Sequence, residues 1–165
     1  MPQRISILVA VFVSLLWIAA ARADHFTIDL EVKSGKTKEM VHAETLEPGA
    51  KAKARAVLEV PTGQEVEIHW TVTCSAKQGM FKDVLVHFFI AKEGMIGQPG
   101  TPKIDKDAAA ESALTMDFRP NEKAKGQMKV KLTKPGPYLL RLETIGASKG
   151  TESHEHFAAL DLLVK

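Results

Sequence analysis

The run Glu65–Cys74 reads Glu-Val-Glu-Ile-His-Trp-Thr-Val-Thr-Cys, and every second residue in it is apolar. Successive side chains of an extended chain point to opposite faces, so Val66, Ile68, Trp70, Val72 and Cys74 share one side. Glu65, Glu67, His69, Thr71 and Thr73 share the other. One apolar face and one polar face at a period of two predict a half-buried antiparallel strand. The same pattern predicts that Cys74 is buried as a small apolar side chain rather than displayed as a reactive thiol.

Working outward, the alternation recurs on both sides. Phe26, Ile28, Leu30 and Val32 alternate with Thr27, Asp29, Glu31 and Lys33. Ahead of the turn Pro61-Thr62-Gly63, Ala52, Ala54, Ala56, Leu58 and Val60 oppose Lys51, Lys53, Arg55 and Glu59. Asp83 to Ala91 differs, because Val84, Val86, Phe88 and Ile90 share the run with Leu85, His87 and Phe89 on the opposite face, which predicts a central strand covered on both sides. Further strands are predicted at Ser112 to Phe118, Gln127 to Thr133, Tyr138 to Ile145 and His156 to Val164. Lys134-Pro135-Gly136-Pro137 and the polar stretch Gly146 to Ser153 supply turns between them. Lys36 to Glu47 fits either a short edge strand or a loop. Glu93 to Lys103, rich in Gly and Pro, predicts a long surface loop, and Asp105 to Ala113 carries the strongest helical signal, a turn or two. Taken together the pattern predicts an all-β, antiparallel β-sandwich of about eight strands, immunoglobulin-like, with no internal repeat or linker.

Leu132, Pro135, Gly136 and Tyr138 carry the immunoglobulin part of that expectation. They resemble the tyrosine corner of immunoglobulin-like sandwiches, where a Gly-x-Tyr opens the penultimate strand and the phenol bonds back to nearby backbone. The likeness departs from true immunoglobulin domains at Leu140, which stands where the second cysteine of the inter-sheet disulfide would be. Trp70 lies on the second core strand rather than the third. The resemblance implies an architecture and no function.

At the N-terminus, Arg4, the apolar run Ile5 to Ala21 and the small-x-small triplet Ala21-Arg22-Ala23 read as a secretory signal peptide over residues 1–23. At roughly 1.5 Å per residue the apolar run covers about 25 Å, short of a ~30 Å hydrocarbon core, so it is expected to be cleaved and to leave no membrane span. Residues 24–165 would then form a single domain, secreted or periplasmic, of a length that buries a core without staples. The lone Cys74 can form no internal disulfide. Removing Arg4 and Arg22 from the 22 basic residues leaves 20, equal to the 20 acidic ones. With no net field, nucleic acid is not an expected partner; an unidentified protein or envelope component is.

Chemistry is sparse. The sequence holds no phosphate-binding glycine loop, Cys-x-x-Cys or EF-hand loop. His154-Glu155-His156 begins like a zinc-protease helix, but Ala158 stands where the second histidine belongs. On a strand, His154 and His156 project from one face and could chelate one copper or zinc ion. In immunoglobulin strand order the loops Cys74 to Lys82 and Gly146 to Ser153 share one end, which would add Met80 or Cys74 as a third ligand. Blue-copper spacing is not met, since Met80 precedes His87. Asp105 and Asp107 read as a solvated pair, His25 falls second rather than third after cleavage, and His69 beside Glu67 reads as a surface pair. His87 reads as a hydrogen-bonded core histidine, and Arg141, Glu143, Glu155 and Asp161 as exposed cross-strand ion pairs. The function expected is therefore a non-enzymatic binding or structural module with no cofactor. A copper or zinc protein using His154, His156, Met80 and Cys74 is the alternative, and a hydrolase on the same scaffold the second alternative.

Expressed with its own leader in a secreting host, the protein should appear in the soluble exported fraction with Asp24 as its first residue by N-terminal sequencing. Recovery of the intact chain in washed membranes would oppose the leader reading.

Overall fold

Alternating sequence becomes nine strands in a computed structural model that describes residues 25–43, 53–99, 108–146 and 155–165. In chain order they are β1 (Phe26–Ser34), β2 (Thr37–Ala43), β3 (Val57–Val60), β4 (Glu65–Cys74), β5 (Phe81–Lys92), β6 (Ala110–Phe118), β7 (Lys123–Lys131), β8 (Gly136–Ile145) and β9 (Glu155–Val164). They form a four-stranded sheet of order β2-β1-β4-β7 and a five-stranded sheet of order β3-β9-β8-β5-β6. Strands β1, β4 and β7 facing β5, β8 and β9 is the arrangement of an immunoglobulin-like sandwich. The leader reading lies outside the described residues.

The inward faces are those the alternation assigns. Ile28, Leu30, Val32, Val66, Ile68 and Val72 from one sheet meet Val86, Ile90, Leu140, Leu142, Leu160 and Leu162 from the other in one continuous core. Burying a side chain of this size stabilises by about 1.5–3 kcal/mol, which explains how the fold holds without a disulfide. Strand β8 is buried along nearly its whole length, because β9 and β5 flank it and both its faces are covered. Strand β5 also runs inside the sheet as expected, with Phe89 and Ala91 meeting Leu139 in a small second cluster on the outer face.

Four expectations are corrected or resolved by pairing. Residues 101–107 lie outside the described residues, but Ala110 to Ala113, assigned above to a helix, belong to edge strand β6 and pair with Ile90 to His87. So short a stretch cannot repay helix nucleation on its own, and a neighbouring ladder decides its conformation. Within the ambiguous stretch, Thr37–Ala43 is an edge strand, closed onto β1 by a two-residue turn in which Gly35 takes φ 59°. Strand β3 is only Val57–Val60 and runs parallel to β9, so the sandwich is mostly rather than wholly antiparallel. With edge strand β2 the described residues hold nine strands, in line with the expected eight or so.

Trp70 keeps its inward parity yet is only half-buried. Its indole lies across Gly126 of the neighbouring strand, where an added Cβ would come within 2.2 Å of the ring. The tyrosine corner is present. The Tyr138 hydroxyl donates to the Lys134 carbonyl at 2.8 Å from a side chain that is almost fully buried. Close approach between the two sheets is concentrated where β1 and β2 meet β3, β8 and β9. The opposite side is bounded by edge strands β6 and β7.

Replacing Tyr138 by Phe removes one buried hydrogen bond and strands the Lys134 carbonyl, so denaturant titration should show a loss of about 1 kcal/mol. A change below about 0.3 kcal/mol would mean that the hydroxyl contributes nothing to closing the corner.

Candidate functional site

Most buried charge in the described chain collects on the outer face of the five-stranded sheet. Strand parity places Asp161 and Phe157 of β9, Arg141 and Glu143 of β8, His87 of β5 and Glu111 of β6 on this one face. They fall into two networks, separated by the small apolar cluster of Phe89, Ala91 and Leu139.

The first network is centred on Asp161, which has no exposed surface in the middle of an apolar strand. Arg55, in the segment before β3, donates from Nε to its Oδ1 at 2.6 Å and from a terminal nitrogen to Glu93 Oε2 at 2.8 Å. The same guanidinium reaches the Met95 carbonyl at 2.6 Å, and the Gly97 amide donates to the other oxygen of Asp161. Both carboxylates are fully buried, with the guanidinium nearly so. Burial, followed by the hydrogen bond and charge of Asp161, lifts the Glu93 carboxyl to about 7 against the opposing pull of Arg55. Two acids and one cation thus accommodate a proton on Glu93. The network pins the loop after β5, and the segment before β3, onto β9.

The second network crosses four strands. His87 donates from Nδ1 to Glu143 and from Nε2 to Glu111, each at 2.8 Å. Burial alone would lower its pKa, but hydrogen bonds to Glu143 and Glu111 outweigh it and the net shift is upward. A ring donating from both nitrogens is an imidazolium, with no lone pair for a metal or for proton abstraction. Arg141 bonds Glu143 at 2.6 Å, and its guanidinium lies 4.3 Å from the centre of the Phe157 ring. Phe157, 44% exposed, is the aromatic platform at the open end of this row.

The four-stranded sheet offers a different surface. A shallow depression of about 320 Å³ lies among Asp29, Glu31, Met40, His69 and Lys125. Glu31 sits between Lys33 at 2.7 Å and Lys38 at 2.6 Å, and its hydrogen bonds to them hold its carboxyl down at about 2. His69 bonds Glu67 at 2.8 Å, the surface pair expected for it.

Of the four residues assigned to a metal, His154 lies outside the described residues, as do Asp105 and Asp107. His156 is on the inward face of β9, buried, and opposite Thr144. Cys74 is fully buried at the end of β4, where burial pushes its thiol pKa up. Met80, 48% exposed, precedes β5. Register puts Cys74, Met80 and the start of β9 at the same end of the sandwich, but on different sheets. Among the described residues no group of three or more His, Cys, Asp or Glu is placed to hold a metal ion. His25, whose ring centre lies 4.6 Å from that of Phe81, packs against an aromatic ring.

The expectation of exposed cross-strand pairs for Arg141, Glu143 and Asp161 is corrected. All three are buried, Arg141 bonds Glu143 along its own strand, and Asp161 pairs with Arg55. The outer face was expected to be solvated, but the loop after β5 and the row of neighbouring side chains cover it. His87 is hydrogen-bonded as expected, with Glu143 and Glu111 as the partners that sequence separation concealed. Arg55 and Glu93 were not anticipated; an acid inside Ala-Ala-Leu-Asp-Leu-Leu-Val was the signal that a buried cation had to exist.

No family model matches the sequence, and no curated protein matches it. Among solved structures, the C-terminal domain of wzt is similar at 9% identity and TM-score 0.44, covering 82% of this chain and 70% of that one. HiLPMO9B is similar at 9% identity and TM-score 0.38, covering 83% and 76%. An AA10 LPMO from Photorhabdus luminescens is similar at 12% identity and TM-score 0.34, covering 74% and 78%. Likeness at this level transfers no activity to this chain.

Glu93 gives the face a pH signature. From the ordinary carboxyl range up to about 7 the folded chain holds a proton that the unfolded chain has lost, so stability falls as pH rises through that window. His87 acts with the same sign: its contribution is full below the ordinary imidazole value of 6.5 and is lost as pH rises through its raised folded value. The melting temperature should therefore decline from about pH 5 to about pH 7, and Glu93→Gln, which mimics the protonated acid, should flatten part of that decline. A melting temperature that climbs across the interval would contradict the assignment.

Proposed function

We propose that this chain is an exported, non-enzymatic β-sandwich module that binds, or serves as a structural part of, a protein or envelope component. The observation that supports a non-catalytic reading best is the state of His87. Its ring is clamped between Glu111 and Glu143, each nitrogen faces a carboxylate oxygen, and those bonds raise its pKa. A general base needs a free lone pair near neutral pH, and this geometry leaves none. Arg55, Asp161 and Glu93 are likewise spent on one another and on loop backbone. Export rests on the leader at residues 1–23.

One observation favours the copper or zinc reading as runner-up: His156 and Cys74 both face the interior at the same end of the sandwich. Against it, Met80 stands largely in solvent and the Cys74 thiol is held protonated by burial. A two-histidine chelate lacking a third ligand is open and weak.

Protein purified from its exported fraction should carry less than about one tenth of an equivalent of copper or zinc by elemental analysis, and added metal should leave its melting temperature nearly unchanged. Near-stoichiometric metal that vanishes in His154→Ala, His156→Ala would replace the proposed function with the metal reading.

A further inference from the structure

Strands β6 and β7 bound one side of the sandwich, one from each sheet. Each presents one edge that no described strand pairs. Their outward rows are opposite in charge. Strand β6 shows Glu111, Ala113, Thr115 and Asp117, whereas β7 shows Lys123, Lys125, Gln127, Lys129 and Lys131. The acids stand six residues apart, as do Lys125 and Lys131. On the inward side of β6, Leu114 is 52% exposed, because β6 overhangs the smaller sheet. On the inward side of β7, Met128 and Val130 are only partly buried.

We infer that this side is the interface of a closed two-fold dimer in which β6 of each subunit pairs with β7 of the other. The strand directions allow it. Phe118 ends β6 and Lys123 begins β7 at the same end of the sandwich, joined by four residues that cross from one sheet to the other, so β6 and β7 run in opposite directions. A two-fold axis parallel to the strands brings β6 beside the partner's β7 in antiparallel sense and, by the same operation, β7 beside the partner's β6. Outer faces then continue into outer faces and inner into inner, and each sheet extends to nine strands across the dimer.

Register follows from the same symmetry. Rotation about an axis along the strands changes no residue's height, so the heights of Phe118 and Lys123 within one subunit set the pairing. Two registers that match outward residues with outward ones lie equally near: Asp117 against the partner's Lys123 with Leu114 against the partner's Gly126, or Asp117 against Lys125 of the partner subunit with Glu111 against the partner's Lys131, and apolar cover selects the second. It also sets Leu114 against the partner's Met128, covering the exposed apolar side chain. Symmetric pairing of β6 with its own copy, centred on Leu114, would instead oppose Glu111 and Asp117, and pairing β7 with its copy would oppose lysine with lysine. Edge lysines commonly block strand addition. Here they reject every edge except an acidic one of matching spacing.

Sedimentation equilibrium of the purified exported chain should show a reversible monomer–dimer equilibrium that weakens with salt. Glu111→Lys with Asp117→Lys should weaken association by at least about tenfold, since four attractive pairs become repulsive. Adding Lys125→Glu and Lys131→Glu to the same chain should restore it. Because Glu111 also holds His87, a second variant keeps the charges intact: Leu114→Cys with Met128→Cys should oxidise to a covalent dimer on a non-reducing gel. A monomer at all concentrations, a ladder of higher oligomers in the cysteine variant, or a charge swap that fails to restore association would overturn the proposal.

Discussion

An ionised carboxylate with no exposed surface must be neutralised where it stands, and Asp161 imposes that requirement on the outer face of the five-stranded sheet. Its neighbours along the strand, Ala158 to Leu160 and Leu162 to Val164, are all apolar. Arg55 reaches it from the segment ahead of β3, whose short parallel ladder with β9 is continued by the Asp161 amide donating to the Ala56 carbonyl. Glu93 and the Gly97 amide complete the arrangement and draw the loop after β5 across the sheet. Removing one partner from such a cluster leaves an uncompensated buried charge, a loss of several kcal/mol, so the cluster specifies where loop and strand must lie.

The fold was largely legible because burial of one strand face leaves a period-two record in sequence. Val66 to Cys74 and Phe26 to Val32 read correctly as strands, and the doubly apolar Asp83 to Ala91 read correctly as interior. Ala110 to Ala113 misread because alanine favours helix locally, while the partner that overrides it, β5, lies some twenty residues earlier in the chain. The parallel alignment of β3 left no trace in periodicity, since either direction of a strand gives the same alternation.

The site was much less legible. His87 could be recognised as a histidine needing partners, but Glu143 lies 56 residues away and Glu111 24, and both reach it through strand pairing that no local pattern encodes. Asp161 and Arg55 are 106 residues apart. Periodicity identifies the face a side chain occupies, whereas the loops that roof that face decide whether it is wet. Arg141, Glu143 and Asp161 were therefore assigned to the correct face but to the wrong environment.

The path of the chain through the sandwich gives it a mechanical character. Strand β1 begins at the end where Phe26 pairs with Cys74, while β9 finishes at the opposite end, where Lys165 exchanges hydrogen bonds with Thr62 and Val60. A pull applied at His25 and Lys165 therefore runs along the strands. It drags β1 lengthwise past β4, and β9 lengthwise past β8 and β3, so the bonds of each ladder share the load. Ends leaving from one pole would instead let each ladder open one bond at a time. The topology that packs this core also orients its hydrogen bonds to resist tension.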